Sequence, residues 1–271
     1  MGEPQAQRNS SSRRSILRGM GGFGVLSLLA AGSAGNGQAH AAVPTLRVAV
    51  AANMSNSAHR LARTFEQSQV VRVEMAVGST GKLHAQILNG APYDVLLAAD
   101  ERTPMQLERS GHAVVGTRFT YAVGRLALWS ADPEAVDDQA RVLQHLNGQR
   151  LARADPKVSP YGRAAVQTMQ SLGLHLPRAQ WVEGESIAQA HQFVASGGVR
   201  WGFVAWSQIQ RQGRLMSGSA WRVPDRLHDH IRQDAVLLAL GAHSMGARAF
   251  LSFMRSASAQ EILRDAGYEI V

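Results

Sequence analysis

Three times between Leu46 and Ser110 the chain passes from an apolar stretch, through a small-residue or polar turn, into a segment with helical spacing. The first passage is Leu46-Arg47-Val48-Ala49-Val50-Ala51, which stops at Ala52-Asn53-Met54-Ser55 and continues into a helix carrying Leu61 and Phe65. In the second, residues 70–77 alternate like a half-buried strand, Gly78-Ser79-Thr80-Gly81 makes the turn, and residues 82–90 place Leu83, Ile87 and Leu88 at helical spacing. The third strand, residues 93–100, is nearly all apolar, as in a parallel sheet covered on both faces. Asp100 is placed to cap a helix over residues 101–110. Strand, turn and helix in repetition predict an α/β fold.

The Gly-Ser-Thr-Gly turn adds chemistry to this frame. The first N–H groups of a helix have no carbonyl behind them, and the helix dipole adds partial positive charge there. Such a terminus suits an oxyanion, and Ser79 and Thr80 set two hydroxyls beside it. The plainer alternative is an N-cap in which one hydroxyl satisfies the helix alone. A phosphate-binding P-loop is excluded: two residues rather than four separate the glycines, and Leu83 rather than Ser or Thr follows Lys82.

Further along, residues 119–129 are long for a strand, and Gly124 near the middle predicts a bend where the chain crosses to a second domain. A second α/β set follows: a strand at 151–154, a helix at 161–172, a strand at 181–183, a helix at 186–196 and a strand at 201–205. Residues 223–231 are polar, contain Pro224 and read as a connector; 235–240 is an apolar strand, and helices around Phe250 and Ile262 close the chain. The simplest topology brings the chain back to the first domain after Ile231. The expectation is a type II, clam-like binding-protein architecture, with residues 42–123 and 232–271 in one lobe, 124–231 in the other, and two crossings between them. Ligands in such sheets bind beyond the carboxyl ends of the strands.

The N-terminus reads as an address. Ser12-Arg13-Arg14-Ser15-Ile16-Leu17-Arg18 resembles a twin-arginine export signal, and Ala39-His40-Ala41 fits the small-x-small rule for cleavage before Ala42. The apolar stretch between is broken by Gly19, Gly21, Gly22, Gly24 and Gly32, too weak to span a bilayer. Residues 1–41 are therefore expected to leave a periplasmic mature chain. Without their four arginines and one glutamate the formal charge of +8 falls to +5. The remaining basic residues are scattered, which gives no support to nucleic-acid binding. With no cysteine, disulfides and thiolate metal sites are unavailable.

Four stretches converge on a resemblance: Ala51-Ala52-Asn53-Met54-Ser55, Gly78-Ser79-Thr80-Gly81, Asn89-Gly90-Ala91-Pro92-Tyr93-Asp94-Val95 with Ala98-Ala99-Asp100, and Ser159-Pro160-Tyr161-Gly162. Val182-Glu183-Gly184-Glu185-Ser186-Ile187, Gly202-Phe203-Val204-Ala205 and Ala266-Gly267-Tyr268 add to it. Their order resembles the periplasmic molybdate-binding proteins of ABC importers over essentially all of residues 43–271. The resemblance implies a two-lobed fold and no enzymatic activity or cofactor. It implies molybdate or tungstate in the cleft, and an ABC permease and ATPase at the inner membrane as partners; the protein itself is expected to be a monomer. Carried onto this chain, it implies a ligand set of Asn53, Ser79, Thr80, Tyr161 and the N–H of Ile187. The chain departs from the family at Ala52, where some relatives have threonine, and at Ala205, where another branch has a ligating tyrosine that Tyr161 replaces.

Molybdate is a fully deprotonated dianion at neutral pH, so a site of donors alone can satisfy it. Phosphate usually carries a proton and wants an acceptor as well. No acidic residue sits inside the Asn53, Ser79-Thr80 or Tyr161 loops, which disfavours phosphate; Glu185, near Ile187, is expected to be an acid stabilising the helix start at Ser186. Sulfate fits the same donors. The rival from another class is an export-folded redox enzyme, for which His228-Asp229-His230 is the one candidate metal cluster; its place in the connector fits a solvated hinge better. No Gly-x-Ser-x-Gly elbow supports a hydrolase. The export signal argues against the sensor domain of a transcription regulator.

Overall fold

Leu46, Val48 and Val50 alternate with Arg47 and Ala49 along the first strand, and that period of two divides the core around it. The computed structural model describes residues 43–271; the twin-arginine and cleavage expectations lie outside the described residues. Leu46, Val48 and Val50 of β1 (Thr45–Ala51) pack with Leu61 and Phe65 of α1 (Ser55–Ser68), while Ala49 packs on the other face with Leu83 and Ile87. The elements that follow are β2 (Arg72–Gly78), α2 (Thr80–Leu88), β3 (Val95–Leu97), α3 (Arg102–Arg109) and β4 (Phe119–Gly124). The second set comprises β5 (Leu126–Ser130), β6 (Leu151–Ala154), α4 (Pro160–Ser171), β7 (Trp181–Gly184), α5 (Ile187–Ala195), β8 (Trp201–Ala205) and α6 (Trp206–Ile209). A short hairpin of β9 (Gln210–Arg211) and β10 (Arg214–Leu215) precedes β11 (Ser219–Arg222), β12 (Ile231–Leu237), α7 (Met245–Met254) and α8 (Ala257–Asp265).

Two five-stranded sheets result, in the orders β2-β1-β3-β12-β4 and β11-β5-β8-β6-β7. In the first, β2, β1 and β3 are parallel and β12 runs antiparallel between β3 and β4. In the second, β7, β6 and β8 are parallel, and β5 runs antiparallel between β8 and β11. Each sheet is the core of one lobe. The chain crosses outward between β4 and β5, a break confined to Arg125, and crosses back before β12. The bend expected near Gly124 thus marks a change of sheet. Phe65 meets Phe250 of α7 edge to face, with ring centroids 5.2 Å apart. Such a pair adds about 0.5–1.5 kcal/mol beyond the burial of its area, which fastens the C-terminal helices to the first lobe.

Two strands differ from the sequence reading. β3 covers only Val95–Leu97 of the expected 93–100. At one end the Asp94 carboxylate turns back to accept the Arg47 N–H at 2.7 Å. At the other, the Ala99 N–H leaves the ladder for the Thr80 hydroxyl at 3.0 Å. β12 begins at Ile231 rather than Ala235, because the polar run Arg232-Gln233-Asp234 is strand, with a bulge between Gln233 and Asp234. The extra residue is Tyr121 of β4, and both the Gln233 and Asp234 side chains are fully buried. Fully buried Asp234 accepts from Arg118 at 2.6 Å and from Thr120 at 2.7 Å. Among the described residues no helix is long and apolar enough to cross a membrane.

Candidate functional site

The carboxyl ends of β1 and β2 and those of β6 and β7 face the same cleft, and each ends in a turn whose sequence starts a helix. After β1 a single 3-10 turn, Ala52–Met54, holds Asn53. After β2, Ser79 caps α2 by accepting the Lys82 N–H at 3.4 Å. After β6, Ser159 caps α4, and Pro160 occupies the first helical turn, where its missing N–H costs nothing. After β7, Ser186 caps α5 and Ile187 is its first residue.

Cross-lobe contacts bring these termini together. The Gly81 N–H donates to the Val158 carbonyl at 2.9 Å, tying the start of α2 to the loop before α4. Arg163 pairs with Asp100 at 2.8 Å, and the Ser207 hydroxyl donates to the Asn53 carbonyl at 3.0 Å. Ala51, Ala52 and Ala99 from the first lobe join one apolar cluster with Tyr161, Ile187 and Ala205 from the second. The two alanine departures noted in the sequence, Ala52 and Ala205, are therefore packing residues around the cleft.

All five sequence-derived candidates lie here, and each is at most 4% exposed. The Ser79 hydroxyl accepts from Lys82, that of Thr80 accepts from Ala99, and that of Tyr161 accepts from Gln233 Nε2 at 3.0 Å. Each hydroxyl keeps its own proton to donate. Burial holds the Tyr161 phenol well above its ordinary pKa of 10, so it stays a neutral donor. Among the described residues the Ile187 N–H meets no acceptor, as expected of a first helical turn. Asn53 differs in its contribution: its side-chain amide gives one hydrogen to Gln233 Oε1 at 3.0 Å and the other to Tyr268 at 2.9 Å. Both hydrogens of that amide are thus engaged within the protein. It does not cap α1 either.

Tyr161 is among the largest fully buried side chains. Two further expectations are corrected. Glu185 does not serve the helix start through its charge. Its carboxylate reaches across to Lys82 Nζ at 2.5 Å, and only its N–H engages the helix, through Gln189. His228 is buried rather than solvated, with Nδ1 2.7 Å from the Asp229 carbonyl, and Asp229 accepts from Gln167. Among the described residues no group of three or more His, Cys, Asp or Glu side chains is arranged to hold a metal ion.

Sequence reasoning missed Gln233, Tyr121, Tyr268 and Gly124, which support the donors from behind. Gln233 Oε1 accepts from Asn53 and lies 3.0 Å from the Tyr121 hydroxyl, and Tyr268 donates to the Asn53 carbonyl at 3.0 Å. Gly124 leaves room for this group, since a Cβ there would overlap both the Tyr161 hydroxyl and the Gln233 amide. The available signal was an amide and a carboxylate, Gln233-Asp234, opening an otherwise apolar run.

The pattern of the family described as bacterial extracellular solute-binding protein matches residues 46–269. The chain belongs to that family. It is a binding protein and not an enzyme. It is 45% identical over 247 residues to the molybdate-binding protein ModA of Azotobacter vinelandii, covering 91% of this chain and 98% of that one. It is 44% identical over 230 residues to ModA of Rhodobacter capsulatus, covering 84% and 89%. The solved structure of the Azotobacter vinelandii periplasmic molybdate-binding protein superposes with a TM-score of 0.80 at 39% identity, over 83% of this chain and 99% of that one.

Proposed function

We propose that this chain captures molybdate, or tungstate, between its lobes outside the cytoplasm and delivers it to an ABC transporter. The observation that supports this most is the chemistry of the enclosed donors. The Ser79, Thr80 and Tyr161 hydroxyls and the Ile187 and Asn53 main-chain N–H groups all present hydrogens, and no carboxylate stands among them. A fully deprotonated tetrahedral dianion finds donors on both sides, aided by helix N-termini. Hydrogenphosphate would bring a proton with nowhere to place it. The similarity to ModA proteins over nearly the whole chain points to the same ligand.

The finer parts of this reading are also proposals. Residues 42–123 and 232–271 form the first lobe and 124–231 the second; the chain leaves the cytoplasm on the twin-arginine signal of residues 1–41 and acts as a monomer beside a permease and ATPase. A thermal-shift screen with molybdate, tungstate, sulfate and phosphate tests the ligand. A ligand bound only by the folded state stabilises it by RT ln(1 + [L]/Kd). Molybdate and tungstate are expected to raise Tm and phosphate is not; a phosphate shift equal to that of molybdate refutes the assignment.

A further inference from the structure

Gln233 lies on β12, the strand that returns the chain from the second lobe, and no part of the sequence motifs marks it. Its side chain is fully buried, and across the ladder the register skips Tyr121 of β4, whose hydroxyl also meets the amide. The two ends of the amide face different partners. Oε1 lies 3.0 Å from Asn53 Nδ2 and 3.0 Å from the Tyr121 hydroxyl, whose single proton serves either this oxygen or the Ala98 carbonyl at 2.9 Å. Asn53 is itself oriented, because its second amide hydrogen goes to Tyr268. With the carbonyl end fixed on these donors, the NH2 end faces the Tyr161 hydroxyl at 3.0 Å.

The geometry points to Gln233 as the positioning residue that sets the polarity of the Tyr161 hydroxyl: by donating to the phenol oxygen it fills the acceptor side and leaves the phenol proton for the anion. Gln233 thereby makes Tyr161 a donor only, and selects oxyanions that carry no proton. The inference rests on the reading that Tyr161 binds the ligand. It adds that the residue deciding how Tyr161 binds sits on the other lobe and touches no ligand itself. It also gives a reason for Gly124: the strand paired with β12 must lack a side chain where amide and phenol meet.

The test is a double-mutant cycle read by calorimetry with molybdate at neutral pH. Tyr161→Phe is expected to weaken binding by roughly ten- to a hundredfold, the worth of one hydrogen bond to a charged group. Gln233→Met, which removes the orienting donor, is expected to weaken it by about tenfold in the wild type and by less than about twofold in the Tyr161→Phe background, since residues acting through one another are not additive. Additive losses overturn the proposal while leaving Tyr161 a ligand; wild-type affinity in Tyr161→Phe overturns both readings. Gln233→Glu guards against a Met variant that fails to fold, because its carboxylate keeps acceptors for Asn53 and Tyr121 while the Tyr161 proton turns toward it. Its loss should likewise shrink in the Phe background, whereas simple charge repulsion would persist there. A measurement on the unaltered chain needs no variant at position 233: in protein labelled with 13C at the tyrosine Cζ, the Tyr161 signal, assigned by its absence in Tyr161→Phe, should shift on adding molybdate as the free proton engages. No shift, where Tyr161→Phe still weakens binding, means the phenol proton does not turn to the anion, and the proposed polarity is wrong.

Discussion

The Gly81 N–H and the Val158 carbonyl, 2.9 Å apart, form a main-chain hydrogen bond between the lobes within the loops that carry the proposed ligands. Main chain meets main chain here because residue 81 has no side chain. A Cβ at Gly81 would come within 2.9 Å of Val158 Cα and 3.0 Å of its carbonyl oxygen, both backbone atoms that cannot swing aside. Within α2 itself an alanine is the better helix former, by about 0.8–1.0 kcal/mol. Gly81→Ala should therefore separate folding from closure. The ligand-free melting temperature should hold or rise, while molybdate affinity falls by at least about tenfold, roughly 1.4 kcal/mol. Small-angle scattering with molybdate should give a larger radius of gyration than for the wild type. Unchanged affinity and radius would show that this contact does not limit closure.

Gly124→Ala tests the opposite side of the site. Its Cβ would have to displace the Tyr161 hydroxyl or the Gln233 amide, and both are held in a closed hydrogen-bonded group. Overpacking of this kind costs about 1–3 kcal/mol. Urea unfolding should show that loss without a change in m, and molybdate binding should weaken as Tyr161 is pushed from its place. A variant with wild-type stability and affinity would mean that the strands yield at no cost.

The Lys82–Glu185 pair also spans the cleft, but water reaches it: the two side chains are 45% and 72% exposed. Exposed pairs are worth at most about 1 kcal/mol. Lys82→Ala should therefore raise Kd for molybdate by less than about fivefold. The difference from wild type should vanish in about 1 M salt, where the Debye length is about 3 Å. Calorimetry at low and high salt decides this; a large, salt-insensitive loss would mean that Lys82 touches the ligand.

How far the sequence carried these arguments depends on the distance over which each residue acts. Asp100 accepts the Thr103 N–H and Ser79 caps the helix directly after it, two roles that local spacing offers; Ser159 and Ser186 cap their helices as well. The α/β rhythm and the crossing near Gly124 were legible for the same reason. Gln233 was not, because its partners Asn53, Tyr121 and Tyr161 are 180, 112 and 72 residues away. A polar triplet reads as a connector until those partners are known. The role of Glu185 was misread likewise: its charge answers Lys82 across the cleft, and local sequence offers only the neighbouring helix start.

The same buried group gives the protein an alkaline limit. Tyr121, Tyr161 and Tyr268 are buried around the cleft, and burial is the largest cause holding each phenol above its ordinary pKa of 10. The folded chain keeps these protons at a pH where the unfolded chain, with tyrosines near pKa 10, has lost them. Above that pH the unfolded state binds fewer protons than the native one, so unfolding free energy falls as pH rises. The contribution is complete below about pH 10 and is lost above it, at about 1.4 kcal/mol per pH unit for each phenol and about 4 for three. Tyrosinate absorbance and circular dichroism, followed together on raising the pH, should show three of the phenols ionising only as the fold is lost. Because no proposed donor titrates lower down, molybdate affinity should be flat between about pH 7 and about pH 9. Ionisation of the three phenols in the still-folded protein would show that water enters the group, and the fixed donor polarity proposed for Tyr161 would lose its basis.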